Sequence, residues 1–343
     1  MAGKKADRSA YNQLRRDLKS GQVGQLYVFH GEEKYLMEQC LTQLRRQLVP
    51  EGMEEFNLHA FNGKDIDVGE LVATMDNLPM MSERTLIIVT DFDLFGCAEK
   101  KKELLSEAFS DLPDYLCLVF VYDLLDYKIG VGKFQNKVKK IAAIVDFAPA
   151  ERGDLVDWIR RRFRELGKDI DDADSEYLVF LCGGLMTGLK CEIDKIASYA
   201  KEPKITMRDI AAVAEPVLEA RVFDMTDAVG NQAFDKALSV LSDLYAMGEK
   251  PIKIMAVLSK HLRQLYSARL ALESGKGQPQ VMDMWNLKTS WQASKLMNCA
   301  RRCRLDWCRR AVRLAAETDL AMKSTGRDAE ELLTELLLRL ANG

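Results

Sequence analysis

VFHGEEKYLMEQ, residues 28–39, combines an apolar strand, one glycine and the charged first turn of a helix. This order is typical of the first strand-to-helix turn of nucleotide-binding α/β domains, where a phosphate-binding loop lies. Such a loop needs the pattern G-x-x-x-x-G-K-[ST], whose successive backbone N–H groups surround the phosphates. Here Gly31 is not followed by the second glycine of this pattern, and Lys34 is not followed by the Ser or Thr that would hold magnesium.

The residues that follow Gly31 also disfavour a phosphate. Glu32 and Glu33 put two negative charges at a helix N-terminus, where the helix dipole attracts anions but the carboxylates repel them. Two interpretations follow. The segment is either an ordinary strand-to-helix turn or the remnant of a nucleotide site in a protein that kept the fold and lost the chemistry.

The first part of the chain alternates short apolar strands with helical segments. Buried strands separated by helices are typical of a parallel sheet that is covered on both faces. We therefore predict a doubly wound α/β domain over residues 1–148. Its strands are predicted at residues 26–29, 56–61, 85–90, 116–122 and 142–147, with a helix between the second and third strands from Val68 to about Asn77.

Strand patterns stop after Pro149, and the rest of the chain has helical periodicity. LVDWIRRRFRELG, residues 155–167, has its apolar side chains on one face and ends in a glycine. Pro216 separates a predicted small helical domain, residues 149–215, from a larger one, residues 216–343. In the larger domain we predict a loop around SGKGQPQ, followed by three helices that reach Ala341.

Composition and charge limit the classes of function. The chain of 343 residues is 48% hydrophobic and has a formal net charge of −3. The chain as a whole therefore has no excess of positive charge that would attract DNA or membranes. Any surface that binds nucleic acid has to be a local patch of basic residues. The longest apolar run, residues 116–122, is too short for a membrane helix, and we expect a soluble, cytoplasmic protein.

Histidine and cysteine spacings indicate neither a metal site nor a catalytic set. The three histidines lie in separate predicted elements and are interpreted as packed or surface residues. Cys299, Cys303 and Cys308 lie among arginines with no evident fourth ligand. The eight cysteines contain no CxxC motif, so we expect reduced, mostly buried thiols.

Two acidic residues follow the strand TLIIVT, as a magnesium-binding acid follows its strand in ATPases. These are Asp91 and Asp93, and Asp123 follows the next strand in the same way. Acidic residues are also common in loops at strand ends. Without a phosphate loop, neither aspartate after TLIIVT has a nucleotide to act on.

Seven basic residues and one acid, Asp306, lie between positions 295 and 313, with Trp291 and Trp307 nearby. Such a run can hold a nucleic-acid backbone, but it can equally be a solvated face or contact an acidic partner subunit. The candidate residues for DNA or partner contact are Lys295, Arg301, Arg302, Arg304, Arg309, Arg310 and Arg313.

Two adjacent methionines occur in NLPMMSERTLIIV, residues 77–89, between the end of a helix at Pro79 and a buried strand. Met80 and Met81 can fill the core, as most methionines do. If they are exposed, they form an adaptable apolar wedge for a pocket of a partner.

In this order and spacing, the segments resemble the delta subunit family of bacterial DNA polymerase III, which is part of the sliding-clamp loader. The resemblance covers some 320 residues, and no single motif decides it. The segments are VFHGEEKYLMEQ, FNLHAFNG, LPMMSERTLIIV, LCLVFVYD, DLVDWIRRRFRELG, EIDKIASYA with ITMRDI, VFDMTDAVG, GEKPIKIMAVLSKHLRQL and ETDLAMKSTG.

The resemblance implies an AAA+-like fold without a phosphate loop, a mechanical role, no cofactor and no catalytic residues in this non-catalytic subunit of a nucleotidyltransferase. The first domain is expected to bind the ring-shaped sliding clamp, the beta subunit, by inserting an apolar pair. That pair corresponds to Met80 and Met81, with Leu78 and Pro79 beside them. Many relatives have Leu-Phe there, and Met-Met preserves an apolar wedge. Thr187 stands near the position of a nucleotide-sensing arginine.

The resemblance further implies partners for the last domain. It would form a helical collar with the ATP-hydrolysing tau/gamma subunits and delta-prime, and primer-template DNA would be reached through the complex. Two other classes stay open. One is an active AAA-type ATPase with an atypical phosphate loop, and the other is a stand-alone DNA-binding helical protein that only the basic run favours.

Overall fold

A computed structural model of the chain describes residues 8–231, 233–287 and 289–341. The chain divides into two compact units. The sheet unit contains residues 8–150 together with Leu185–Thr187, and the helical unit contains residues 151–184 and 188–341. This division does not separate residues 149–215 from the residues that follow, so that predicted boundary stays a prediction.

The sheet unit alternates helices with short strands, as the apolar pattern predicts. Its elements are α1 (Ser9–Ser20), β1 (Leu26–His30), α2 (Lys34–Leu48), α3 (Glu54–Asn57), β2 (Leu58–Asn62), α4 (Val68–Met75), β3 (Thr85–Thr90), α5 (Glu99–Ala108), β4 (Leu116–Val121), α6 (Lys133–Ile141) and β5 (Ala143–Asp146).

The five strands form one parallel sheet in the order β2-β3-β4-β1-β5. Alternate residues of a strand point to opposite faces, so each strand supplies both sides of the sheet. Leu26 and Val28 of β1 pack with α4, α5 and α6, whereas Tyr27 and Phe29 pack with α1 and α2. Helices on both faces confirm the predicted doubly wound parallel-sheet fold.

The helical unit contains the remaining helices, of which α9 begins with two residues that belong to the sheet unit. They are α7 (Arg152–Glu165), α8 (Asp172–Cys182), α9 (Met186–Tyr199), α10 (Met207–Val213), α11 (Leu218–Gly230), α12 (Phe234–Ala246), α13 (Pro251–Glu273), α14 (Gln278–Trp285), α15 (Ser290–Arg302), α16 (Leu305–Ser324) and α17 (Ala329–Ala341).

The long helix α13 lies at the centre of the helical unit and packs against α11, α15 and α16. Its buried residues Ile254, Leu258 and Leu262 belong to one apolar cluster with residues of α11, α12, α16 and α17. A helix that is apolar on several sides is stable only when other helices surround it.

A buried carboxylate joins α8 to α15 inside the helical unit. Glu176 accepts hydrogen bonds from Arg152, from the Ser290 hydroxyl at 2.6 Å and from the Trp291 backbone N–H at 3.1 Å. A buried charge is tolerated because these partners replace its water. This cluster holds residues of the predicted small helical domain against a helix of the predicted collar domain.

Several boundaries differ from the sequence predictions. Helix α4 ends at Met75, so both predicted positions for its end, about Asn77 and Pro79, are too late, by two and four residues. In the described residues after 274 there are four helices, not three, because α14 begins inside the predicted SGKGQPQ loop. The pattern also gave no sign of the short helix α3, which has only one turn and no repeating apolar face.

None of the helices in the described residues combines the length and the apolar character of a bilayer-spanning segment. Within the same residues, no group of three or more acidic, histidine or cysteine side chains has the arrangement of a metal site. Five of the eight cysteines are buried, in agreement with the predicted character of these thiols.

His261 of α13 is a buried core residue, in agreement with the packed interpretation. Its ring lies against Phe223 with the ring centroids 4.3 Å apart. Burial lowers the pKa of His261 to about 4, while a hydrogen bond with Gln264 raises the pKa and the nearby charge of Lys295 lowers it. The folded helical unit therefore holds His261 in its neutral form at neutral pH.

This lowered pKa predicts a loss of stability in mild acid. The unfolded chain binds a proton at His261 below the ordinary pKa of 6.5, but the folded chain does so only near 4. From about pH 7.5 to about pH 5 the wild type should lose about 2 kcal/mol more free energy of unfolding than His261→Phe. All four tryptophans lie in the helical unit, so denaturant titrations followed by tryptophan fluorescence measure this difference. Equal losses in the two proteins would contradict the assignment.

Candidate functional site

The turn after β1 is filled by backbone from the end of β5. The Phe147 N–H donates to the His30 carbonyl at 2.7 Å, and the Glu33 N–H donates to the Phe147 carbonyl at 2.8 Å. Gly31 has a φ of +125°, and a Cβ atom at this position would lie 2.6 Å from the Phe147 carbonyl oxygen. The place where a phosphate loop would surround its ligand is therefore occupied by the protein itself.

Three charged residues follow Gly31, and two of them, Glu33 and Lys34, have structural partners in the sheet unit, whereas Glu32 is exposed. The fully buried Glu33 carboxylate accepts from the Met186 N–H at the start of α9, at 3.2 and 3.3 Å. The Lys34 ammonium donates to the carbonyls of Tyr122 and Asp123 at 2.9 and 2.8 Å. Lys34 thus fastens the end of β4, which is a different task from holding a phosphate.

The two aspartates after β3 are also engaged with backbone. One carboxylate oxygen of Asp91 accepts from the three N–H groups of residues 123–125, at 2.8 to 3.1 Å. Asp93 accepts from the Gly96 N–H at 2.8 Å. These contacts order the loops at the C-terminal edge of the sheet, in agreement with the loop interpretation of both residues. Thr187 is exposed.

The candidate wedge lies at the opposite, N-terminal edge of the sheet, in the segment 76–84 before β3. Four hydrogen-bonded points anchor this segment. The Tyr115 hydroxyl donates to the Asp76 carbonyl at 3.1 Å, and the Ser82 hydroxyl lies 2.9 Å from the Leu48 carbonyl oxygen. The Arg84 guanidinium donates to the carbonyls of Val23, Gly24 and Leu116.

The fourth anchor is a buried side chain, Asn57, the last residue of α3. Its Nδ2 donates to the Met80 carbonyl and its Oδ1 accepts from the Met80 N–H, each at 2.8 Å. The sequence gave no signal of this contact, because the two residues are 23 positions apart. A single asparagine between a helix and a strand does not reveal which distant residue it contacts.

The side chains between these anchors point into solvent. The exposed fractions of Leu78, Met80 and Met81 are 76%, 49% and 79%, and Pro79 is half-buried. Met81 has a φ of +53°, a left-handed conformation that residues other than glycine rarely adopt. Of the two alternatives for the methionines, the structure excludes the core, because both side chains are exposed.

The basic run does not form one free surface. Lys295 donates to Asp224 at 2.7 Å and lies over the rings of Phe180, Phe223 and Trp291. Arg302 donates to Asn231, and Arg310 donates to the Arg339 carbonyl near the end of α17. These three residues join helices of the same unit.

The other four basic residues are exposed and can contact another molecule more easily. Arg301 and Arg304 are exposed around the turn between α15 and α16. Arg309 and Arg313 lie four residues apart on α16, with ion pairs to Asp306 at 3.6 Å and Glu317 at 3.7 Å. Exposed pairs of this kind hold their partners weakly and leave the arginines able to bind a stronger anion.

A parallel sheet covered on both faces defines a doubly wound α/β protein, and the phosphate-loop pattern is missing after its first strand. Two family profiles match the chain and together cover more than half of it. "DNA polymerase III, delta subunit" matches residues 27–147, and "DNA polymerase III delta subunit, C-terminal domain" matches residues 219–340. The chain belongs to the DNA polymerase III delta subunit family of the clamp loader.

Individual relatives agree with this assignment. The chain is 29% identical to DNA polymerase III subunit delta of Bacillus subtilis over 334 residues, covering 94% of each chain. It is 24% identical to a probable subunit delta of Aquifex aeolicus, covering 91% of this chain and 90% of the relative. The solved structure of the Bacillus subtilis DNA clamp loader delta protein matches with a TM-score of 0.51 and 25% identity, over 97% of this chain and 100% of that one.

The filled turn predicts a specific sensitivity to substitution. Gly31→Ala should destabilise the sheet unit by at least about 2 kcal/mol, because alanine disfavours this backbone angle and its Cβ would overlap the Phe147 carbonyl. Gly21→Ala is the matched control, since Gly21 also has a positive φ but its Cβ would meet open space. The control should cost about 1 kcal/mol. Calorimetric unfolding measures both, and equal costs would show that the turn is open.

Proposed function

We propose that this protein is the clamp-binding subunit of a DNA polymerase III clamp loader and holds the sliding clamp with Leu78, Pro79, Met80 and Met81. One observation carries the proposal: the backbone of the segment 76–84 is fastened at four points while its apolar side chains stay exposed. Family membership supports it, because relatives are delta subunits and one is called a DNA clamp loader delta protein.

Physical chemistry supports a wedge of this kind. Burying apolar side chains in the pocket of a partner releases water, and the gain is largest when the segment is already ordered before binding. Methionines adapt their shape to a pocket more readily than branched residues. A Met-Met pair therefore retains the apolar contact that Leu-Phe would make.

In this proposal the subunit helps to open the clamp ring by binding, and ATP is hydrolysed by other subunits. Residues 216–343 form a collar with the tau/gamma ATPase subunits and delta-prime, residues 149–215 form a small helical domain, and the assembly works in the cytoplasm on primed DNA. The subunit itself is non-catalytic and needs no cofactor. The alternative of an active AAA-type ATPase is disfavoured by the filled turn at Gly31 and by the structural partners of Lys34 and Asp91.

The first test of this proposal is nucleotide binding. Calorimetric titration of the full chain with ATP and magnesium should give no heat of binding up to millimolar nucleotide, because no phosphate cradle is available at the end of β1. The ATPase subunits of the same loader are the positive control. Micromolar binding that is lost in Lys34→Ala would restore the ATPase alternative.

The second test concerns the wedge. The double substitution Met80→Ser with Met81→Ser should weaken clamp binding by about 3 kcal/mol, on the order of a hundredfold, because two apolar contacts are lost. A monomeric clamp variant is the appropriate partner, since no ring has to open. The unfolding temperature should stay close to that of the wild type, since exposed side chains contribute little to stability.

A matched control for the wedge is present in the same unit. Leu124 and Leu125 are also adjacent and exposed, but they lie at the C-terminal edge of the sheet. Leu124→Ser with Leu125→Ser should leave clamp affinity unchanged. If the two double variants lose affinity equally, or if the methionine variant binds like the wild type, the wedge lies elsewhere.

We also propose that Arg301, Arg304, Arg309 and Arg313 contact the DNA backbone in the assembled loader, whereas Lys295, Arg302 and Arg310 mainly hold helices together. Charge reversal at Arg301, Arg309 and Arg313 should weaken primer-template binding by the loader. If each arginine contacts one phosphate, the slope of log affinity against log salt should become shallower by about 2 to 3.

The control for the arginines reverses Lys236 and Lys276, which are exposed in the same unit outside the basic run. This control should change the salt slope much less. An unchanged slope in the arginine variant would instead assign these residues to a solvated surface.

A further inference from the structure

The segment 78–81 presents apolar side chains to water, and its backbone is held in an unusual conformation. Short apolar loops in water tend to fold their side chains back onto the protein. Here Met81 has a positive φ, and both of its neighbours are fastened: Met80 by Asn57 and Ser82 by the Leu48 carbonyl. A strained residue between two anchored neighbours indicates that the surroundings impose its conformation.

Asn57 is the only buried side chain among these anchors that bonds both polar groups of one backbone residue in the segment. Its carboxamide is fully buried, and its two bonds to Met80 imitate one rung of a β-ladder. The pairing needs a donor and an acceptor on one short side chain. Aspartate offers acceptors only, and glutamine is one methylene longer.

We infer that Asn57 is a positioning residue for clamp binding: it fixes the Met80 backbone so that Leu78, Met80 and Met81 are held ready for the pocket of the clamp. The inference rests on the proposed function and adds a residue that does not itself touch the clamp. By ordering the segment before contact, Asn57 lowers the conformational entropy that binding has to remove.

A purely structural role for Asn57 predicts something different. In that case its loss lowers the unfolding temperature but leaves clamp affinity unchanged in the protein that remains folded. A positioning role predicts a loss of affinity that depends on the wedge. A double-mutant cycle separates the two, because it measures whether two residues act on binding together or independently.

The experiment measures the affinity of the full chain for the monomeric clamp variant in four proteins. They are the wild type, Asn57→Ala, the Met80→Ser with Met81→Ser variant, and the triple variant. Asn57→Ala should bind about tenfold more weakly than the wild type, because two hydrogen bonds that order the segment are lost. In the background without the wedge, the same substitution should change affinity by less than about twofold.

Gln25→Ala is the matched control for loss of a carboxamide in the same unit. Gln25 donates to the carbonyls of Leu112 and Pro113, which lie outside the segment 76–84. This control should leave clamp affinity unchanged. If Asn57→Ala fails to fold, Asn57→Asp takes its place in the cycle, because aspartate keeps the length of the side chain and the acceptor for the Met80 N–H but cannot donate to the Met80 carbonyl.

The outcomes are distinct. Wild-type affinity in folded Asn57→Ala, or an equal loss with and without the methionines, overturns the positioning role and leaves the wedge intact. Wild-type affinity in the methionine double variant overturns the wedge itself, and with it the proposed function of this segment. A tenfold loss that vanishes without the methionines supports both.

Discussion

The hydrogen bonds that join the end of β5 to the turn after β1 determine what this sheet can do. The Phe147 carbonyl accepts from Glu33 and the Phe147 N–H donates to His30, so the turn closes around backbone and not around a ligand. Gly31 permits this because any Cβ there would meet the Phe147 backbone. The side chains of Lys34, Asp91 and Asp93 form hydrogen bonds with the backbone of the loops at the same edge.

The turn at the C-terminal edge of the sheet is filled by backbone, and the exposed apolar side chains of the proposed site lie at the N-terminal edge. Strands of five or six residues separate the two edges by roughly 15 to 20 Å. The segment 76–84 leaves α4 early, at Met75, and runs through four anchors before β3 begins at Thr85. An anchored backbone with exposed methionine side chains suits the proposed binding of a partner.

The pattern of apolar residues predicted the sheet and most of the helices. Strands that are buried on both faces appear in the sequence as continuous apolar runs, and helices appear as apolar residues at helical spacing. The pattern left open whether Met80 and Met81 lie in the core or in solvent, because nothing in the helical or strand spacing required either position. It could not find Asn57, whose role depends on a tertiary contact over 23 residues. Nor could it separate Arg310, which donates to the Arg339 carbonyl, from its exposed neighbour Arg309. Helix α4 was predicted too long because Asp76 and Asn77 continue the helix without a strong stop signal.

Hydrogen–deuterium exchange of the full chain, with and without the sliding clamp, is the most direct test of whether residues 76–84 bind the clamp. We expect clamp binding to slow exchange mainly in residues 76–84, while the turn at residues 31–34 and the loop at residues 91–95 exchange as in the free protein. Slower exchange at those two C-terminal edge loops, with residues 76–84 unchanged, would contradict this expectation.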